Sequence, residues 1–155
     1  MKLIICVDDN FGMMFNKRRQ SQDRTLREKL IELCENSVLW MNEYSSNQFQ
    51  NGIDTIVKLK DEYNCDVKVE NEMISYAGAD DYCFIENIDI NDHIVNNTNE
   101  ILLVKWNREY PSDMYFNKTY LDAFTLNDTI TFTGYSHEEI TIERYVQTLE
   151  VNYEE

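Results

Sequence analysis

Side chains that could do chemistry are concentrated in one short segment, directly after the apolar run at residues 3–7. The candidates in and beside this segment are Asp8, Asp9, Gly12, Arg18, Arg19 and Asp23. Arginine guanidinium groups bind anions, and a glycine lets the backbone approach a ligand closely. The segment runs from the end of a predicted strand to the start of a predicted helix, where α/β proteins often place ligand sites. Residues 12–23 are therefore the first candidate site.

Asp23 is the acid whose predicted position is most unusual. It precedes Leu26 by three residues and Leu30 by seven, which places it near the inward side of the first helical turn. A carboxyl held partly out of water there could act as a general acid or proton relay to a heterocycle, because burial raises its pKa. Alternatively, Asp23 is stabilised by the helix dipole and pairs with Arg27.

Two other pairs of residues carry open alternatives. Asp8 and Asp9 could bind a divalent cation, but adjacent residues of a strand point to opposite faces, so a polar strand end is the alternative. Ser136 and His137 lie in a predicted turn that also holds an acid at Glu138. A Ser–His nucleophile pair is normally assembled from distant segments, so we expect an exposed polar turn.

Trp106 and Arg108 follow another predicted strand. The indole ring could stack on a base and the guanidinium could bind an anion. The alternative is that Trp106 packs onto the core. We include both residues among the candidate ligand contacts.

The chain is strongly acidic, with 29 Asp and Glu against 14 Lys and Arg and a net charge of −15. This charge repels nucleic acid and anionic membranes unless a local patch reverses it. Residues 17–29 hold six basic and two acidic side chains, which could form such a patch or the solvated face of a helix. We therefore expect no membrane or nucleic-acid partner, whereas a basic protein partner is compatible with the charge.

Metal and secretion signals are missing from the sequence. The four cysteines are widely spaced, with no Cys-x-x-Cys pair, and no apolar run approaches the length of a membrane span. The only histidines are His93 and His137. The sequence thus predicts a cytoplasmic protein with reduced thiols and no metal centre.

Apolar periodicity predicts one domain over residues 1–155, of the α/β class, with a mixed central sheet flanked by helices. The predicted helices cover residues 22–35, with Ser21 as N-cap, and 88–95. The predicted strands cover residues 2–7, 37–41, 55–59, 66–70, 72–76, 82–85, 100–106, 125–133 and 139–147. The last two strands should form a C-terminal antiparallel hairpin.

In this order, the elements resemble those of dihydrofolate reductase. The matching segments are residues 7–12, 18–20, 37–41, 82–85, 101–104, 113–116 and 141–145. The resemblance implies that fold for nearly the whole chain and places Asp23 where the family has its catalytic acid. The chain also resembles short bacterial proteins that sometimes carry a ribonuclease Z label. The His-x-His-x-Asp-His metal motif of true ribonuclease Z enzymes is absent.

Several positions depart from the reductase pattern. The family's Gly-Arg-x-Thr, which binds the cofactor phosphate, is replaced at residues 42–45 by Asn-Glu-Tyr-Ser. Glu86 and Asn87 replace the paired glycines that let a helix N-terminus approach the pyrophosphate. Met114 stands in place of the threonine that supports the catalytic acid. We therefore expect no cofactor, and NADPH binding in particular is not expected.

These observations favour a small anionic or nucleotide-like ligand in a pocket between the first strand, residues 12–23 and residues 106–108. Asp23 would contact the ring of the ligand, and Arg18, Arg19 or Arg108 its charged group. Asp8, Gly12 and Trp106 would complete the pocket. One alternative is a non-catalytic acidic module that binds a basic protein, and a weaker one is an RNA-processing enzyme.

Overall fold

A seven-stranded sheet organises the protein, and the computed structural model describes residues 1–148. The strands are β1 (Lys2–Val7), β2 (Gly12–Phe15), β3 (Arg18–Arg19), β4 (Val38–Met41), β5 (Asp66–Val69), β6 (Tyr82–Ile85), β7 (Glu100–Lys105), β8 (Met114–Tyr115), β9 (Phe124–Phe132) and β10 (Ile140–Gln147). The α-helices are α1 (Arg24–Leu33), α2 (Glu43–Gln48), α3 (Ile53–Tyr63), α4 (Met73–Tyr76) and α5 (Asp92–Asn96), and a 3₁₀ helix covers Lys118–Ala123. Within residues 1–148, no helix is long and apolar enough to cross a membrane.

The strand order in the large sheet is β5-β4-β6-β1-β7-β10-β9. The first five strands run parallel, and β10 is antiparallel to β7. β9 and β10 pair antiparallel as the C-terminal hairpin. A separate small sheet has the order β3-β2-β8. The predicted α/β class, mixed central sheet and terminal hairpin are confirmed.

The central strand β1 is apolar from Leu3 to Val7, and both of its faces are covered. Leu3, Ile5 and Val7 face one core cluster, which includes residues of β2 and α5. Ile4 faces the other cluster, which includes Leu30 of α1. Strands that are buried on both faces have continuous apolar runs, which is why residues 3–7 show no alternation of apolar and polar side chains.

The predicted strands at residues 55–59 and 72–76 are wrong. Residues 55–59 lie within α3, where Ile56 is buried against the cluster that also contains α1. Residues 73–76 form the short helix α4. The β-branched residues Thr55 and Val57 favoured a strand, but packing onto a neighbouring helix outweighs such propensities. The helix predicted over residues 88–95 is α5, which begins only at Asp92, and α2 was not predicted.

The segment that follows β1 is more ordered than the loop that the sequence suggested. It folds into the hairpin β2–β3, with Asn16 and Lys17 at φ of 51° and 60° in its turn. Two successive positive φ angles are typical of the tight turns that join twisted strands. The helix then begins at Arg24 with Asp23 as N-cap, whereas Ser21 was the predicted cap. The Asp23 carboxylate is therefore tied to the backbone at the helix start.

The apolar contact between α1 and the sheet can be tested with a buried and an exposed aliphatic residue. Leu30 is 1% exposed in α1, and Val57 is 49% exposed in α3. Leu30→Ala should lower the free energy of unfolding by about 2–5 kcal/mol, because the cavity left behind adds to the lost burial. Val57→Ala should change it by less than about 0.5 kcal/mol. Urea unfolding measures both, and equal effects would contradict this packing.

Candidate functional site

The Asp23 carboxylate joins the start of α1 to the turn between β9 and β10. As N-cap it accepts a hydrogen bond from the Leu26 amide at 3.1 Å. It also accepts from the amides of Tyr135 at 3.0 Å and Ser136 at 2.9 Å, and from the Ser136 hydroxyl at 3.2 Å. The fifth donor is His137, whose Nδ1 lies 2.8 Å from Asp23 Oδ2. Two segments more than a hundred residues apart therefore meet at one acid.

The turn can approach Asp23 this closely because it contains Gly134. A Cβ at Gly134 would lie 2.7 Å from Asp23 Oδ2 and 2.9 Å from Ile140 Cδ1, inside van der Waals contact. The backbone of the turn closes with a hydrogen bond from the Gly134 amide to the His137 carbonyl at 2.9 Å. The Arg108 Nη2 group donates to the Ser136 carbonyl at 3.1 Å, so this arginine fixes the same turn from outside.

Hydrogen bonding decides the charge of Asp23. Burial raises the carboxyl pKa, but the donors at Ser136, His137, Tyr135 and Leu26 outweigh burial and hold the pKa below its usual value. A general acid needs the opposite shift, so the expected proton-donating role is not supported. The expected ion pair with Arg27 is also absent among the described residues, since Arg27 Nη1 donates to Gln22 at 3.2 Å. Asp23 is an ionised acceptor.

The ionised acid fixes the tautomer of His137. Because Asp23 can only accept, the proton of a neutral ring lies on Nδ1, which leaves a lone pair on Nε2. Ser21 Oγ lies 2.8 Å from Nε2, and the Tyr110 hydroxyl lies 3.3 Å from it. The ring also stacks on Trp106, with centroids 4.7 Å apart and planes inclined by 25°. His137 is only 4% exposed and is held on all of these sides.

Asp8 performs a similar structural task at the end of β1. Its Oδ1 accepts from the amides of Asn10 at 2.9 Å and Gly12 at 2.8 Å, and its Oδ2 accepts from the Tyr110 amide at 3.0 Å. Asp8 is buried and Asp9 exposed, so the two carboxylates do not share one site. Within residues 1–148, no group of three or more His, Cys, Asp or Glu side chains is placed to hold a metal ion.

Residues 110–112 fill much of the space where a pocket was expected beside Gly12. A Cβ at Gly12 would collide with the Ser112 side chain and would approach Gln20 Nε2 to 2.7 Å. The Gln20 amide in turn donates to the Pro111 carbonyl at 3.3 Å. The glycine therefore admits a neighbouring chain segment in this structure. Trp106 is 3% exposed and packs into the core beside His137.

Arg19 is held in an ion pair with Glu86. Its Nε lies 3.0 Å from Glu86 Oε2 and its Nη2 lies 3.2 Å from Glu86 Oε1, a two-point contact. The guanidinium also lies over the Tyr44 ring, 4.4 Å from its centroid, and donates to the Tyr44 carbonyl at 3.1 Å. Burial opposes the charge of Arg19, but the hydrogen bond to Glu86 and the attraction of its negative charge together outweigh burial and raise the arginine pKa. The guanidinium of Arg19 is thus already paired with an anionic group, the Glu86 carboxylate.

Arg18 lines a cavity of about 280 Å³ between the β2–β3 hairpin and the chain near Tyr110. The other residues of this Arg18 cavity include Phe15, Asn16, Arg19, Gln20, Tyr110 and Pro111. Its lining contains no carboxylate, and Arg18 forms no ion pair within residues 1–148. A neighbouring cavity of about 380 Å³ is lined by Lys17, Tyr44, Asn87 and Asp113, which combines one cation with one acid.

The structure therefore divides the predicted site residues into three groups. Arg18 and Arg19 line the Arg18 cavity, and Gly12 lies close to Gln20, which also lines it. Asp23, Trp106 and Arg108 meet at the turn of the β9–β10 hairpin. Asp8 accepts hydrogen bonds from its own loop and from the amide of Tyr110.

Three participants were not assigned from the sequence: Ser21, Tyr110 and Glu86 as the partner of Arg19. The only sequence signal for Ser21 was its position before the apolar pattern of the predicted helix, which predicted an N-cap.

The fold defined by this sheet order is that of a dihydrofolate reductase. Among solved structures, dihydrofolate reductase from Enterococcus faecalis complexed with NADP(H) and RAB-propyl matches with a TM-score of 0.59. The match covers 94% of this chain and 95% of that chain at 10% sequence identity, so it concerns the fold alone. No protein-family profile and no curated protein sequence matches the chain.

Acid should expose the contribution of Asp23 to stability. The native pKa lies below the unfolded value of about 3.9, so the folded state binds fewer protons and the stabilisation is complete above about pH 4. It is lost as the pH falls through the native pKa. Asp23→Asn should therefore cost about 1–3 kcal/mol at pH 7, and this difference should shrink below pH 4.

Asp54→Asn is the matched control, because Asp54 is an exposed acid in the first turn of α3. Chemical unfolding from pH 2 to 8 measures all three proteins. A constant difference between wild type and Asp23→Asn across this range would contradict the assignment.

Proposed function

We propose that this protein binds a small anionic or nucleotide-like ligand in the Arg18 cavity. The observation that carries the proposal is Arg18, which has no partner acid within residues 1–148 and lines a cavity without a lining carboxylate. In a chain with a net charge of −15, such an arginine is available to an external anion. A guanidinium recognises phosphate or carboxylate by paired hydrogen bonds.

Aromatic groups in the same cavity favour a ligand with a ring. Phe15 is 46% exposed, which is unusual for a phenyl ring that a fold could bury, and Tyr110 also lines the cavity. Bases stack on such rings without requiring a particular sequence or edge. A cavity of about 280 Å³ is close to the lower limit of typical ligand sites, which suits a small molecule. Binding needs no movement of Arg19 from Glu86.

We also propose that the protein does not use a nicotinamide dinucleotide. Glu86 and Asn87 stand where the reductase family has paired glycines, and Glu86 is 8% exposed and paired with Arg19. Asn87 accepts from the Asn42 amide at 2.7 Å, so its side chain also occupies this position. The negative charge of Glu86 is compensated, so side-chain bulk is the stronger argument there. Glu43 remains an exposed acid near the expected phosphate position.

Ligand binding should appear as a thermal shift that depends on Arg18. The probes are pyrophosphate, adenosine monophosphate and folate, each at increasing concentration. A ligand at a hundredfold excess over its Kd stabilises the native state by about 2.7 kcal/mol, which corresponds to about 5–10 °C in a domain of this size. We expect at least one probe to give a shift of this kind, and Arg18→Ala to remove most of it.

Arg24→Ala is the matched control, because Arg24 is an exposed arginine outside the cavity. It should keep the shift, while Arg18→Lys should retain part of it because the charge is preserved. If no probe shifts the wild type, the proposal fails and the non-catalytic acidic module becomes the better hypothesis. An equal loss in Arg24→Ala would show only a general effect of charge.

NADPH should give no thermal shift, even at millimolar concentration. The reason is the bulk of Glu86 and Asn87 at the glycine positions, together with the acid at Glu43. Differential scanning fluorimetry with NADPH and, in parallel, isothermal titration calorimetry measures this directly. Stabilisation by NADPH that exceeds stabilisation by adenosine monophosphate would overturn this part of the proposal.

A further inference from the structure

Three side chains from two distant segments form a line of hydrogen bonds beside the Arg18 cavity. Ser21 Oγ lies 2.8 Å from His137 Nε2, and His137 Nδ1 lies 2.8 Å from Asp23 Oδ2. This order of hydroxyl, imidazole and carboxylate is the arrangement that activates a serine for nucleophilic attack. We propose that Ser21 is the nucleophile of an esterase-type site, with His137 as general base and Asp23 as the residue that positions the ring.

The hydrogen bonds assign the direction of proton transfer. The Asp23 carboxylate only accepts, so Nδ1 of a neutral ring carries the proton and Nε2 is free to take one. The closest hydroxyl to Nε2 belongs to Ser21, at 2.8 Å against 3.3 Å for Tyr110. The serine hydroxyl therefore points its proton at the base.

The base is held rigidly, as a catalytic imidazole must be. Asp23 is 2% exposed and receives four hydrogen bonds besides the one from His137, so its position is fixed by the turn and by α1. Trp106 covers one face of the imidazole. Ser21 itself is half-buried and thus more accessible than its two partners. Such preorganisation is what distinguishes a working relay from a chance hydrogen bond.

The Arg18 cavity adjoins this line of residues. Gln20, which precedes Ser21, lines the cavity, and so does Tyr110, whose hydroxyl contacts Nε2. A preference for esters that carry a negative charge rests on the proposed anion binding by Arg18. The nucleophile assignment does not, because it depends only on Ser21, His137 and Asp23.

The substrate class is a small carboxylic ester, and the reaction balances without any oxidant or cofactor. Ser21 Oγ bonds to the carbonyl carbon while His137 Nε2 takes the hydroxyl proton. The bond from that carbon to the alcohol oxygen then breaks, and the alcohol leaves with the proton from Nε2. Water next adds to the acyl-serine, again giving its proton to Nε2. The bond between that carbon and Ser21 Oγ then breaks, Oγ takes back the proton from Nε2, and the carboxylic acid leaves.

Phenylmethylsulfonyl fluoride, an uncharged reagent for activated serines, tests the assignment. Intact mass spectrometry of the purified chain should show one adduct, and peptide mapping should place it on Ser21. Ser21→Ala should lose the adduct and at least nine-tenths of any hydrolysis of p-nitrophenyl acetate. His137→Gln should slow labelling about a hundredfold or more, in line with the usual worth of a general base.

Ser75→Ala is the control, since Ser75 is an exposed serine on α4. It should label like the wild type, and thermal unfolding should show that Ser21→Ala remains folded. If the hydrogen bond between Ser21 and His137 only stabilises the hairpin, the wild type will be folded but will form no adduct, and that result would overturn the proposal. An adduct on another residue, or equal hydrolysis by wild type and Ser21→Ala, would also overturn it.

The reagent carries no charge, so this experiment is separate from the binding test. Labelling of Ser21 without a pyrophosphate or adenosine monophosphate shift would contradict the anion site alone. A shift with no labelling would contradict the nucleophile alone.

Discussion

The Asp23 carboxylate is the group that joins the start of α1 to the turn of the β9–β10 hairpin. It ends the β2–β3 segment, caps α1 and receives the turn of the β9–β10 hairpin. An ionised acid that is 2% exposed can exist only where enough donors replace its lost hydration, and five donor groups do so here. The geometry of His137 follows from that requirement, because the ring supplies one of the donors.

Arg19 and Glu86 form a second buried electrostatic contact of the fold. Their two-point ion pair lies at the carboxyl end of β6, beside the end of β1, where open α/β sheets usually bind ligands. Tyr44 covers the arginine from the other side. Breaking such a pair leaves a poorly solvated charge, which resists opening of this position. Arg18, the neighbour of Arg19 in the hairpin, lines a cavity of about 280 Å³.

The sequence predicted the central sheet well and the site only in fragments. A short apolar run such as residues 82–85 is typical of a strand buried on both faces, and the structure has a strand at Tyr82–Ile85. The segment at residues 55–59 failed because strand propensity is weaker than packing against α1. Asp23 was correctly placed facing inward. Its partners could not be predicted, because a turn 112 residues later supplies them and no local pattern encodes that distance.

His137 illustrates why that missing information matters. In the sequence, its neighbours Ser136 and Glu138 suggested a local catalytic cluster, but neighbouring residues in a turn rarely form one. In the folded chain the ring instead pairs with Ser21 and Asp23, residues that are only two apart and share the entry to α1. Ser21 and Asp23 are therefore close because they are close in sequence. His137 reaches them because the sheet topology places β10 beside β7. A chain can therefore hide a Ser–His–Asp arrangement from any reading of motifs, because its geometry is a property of the fold.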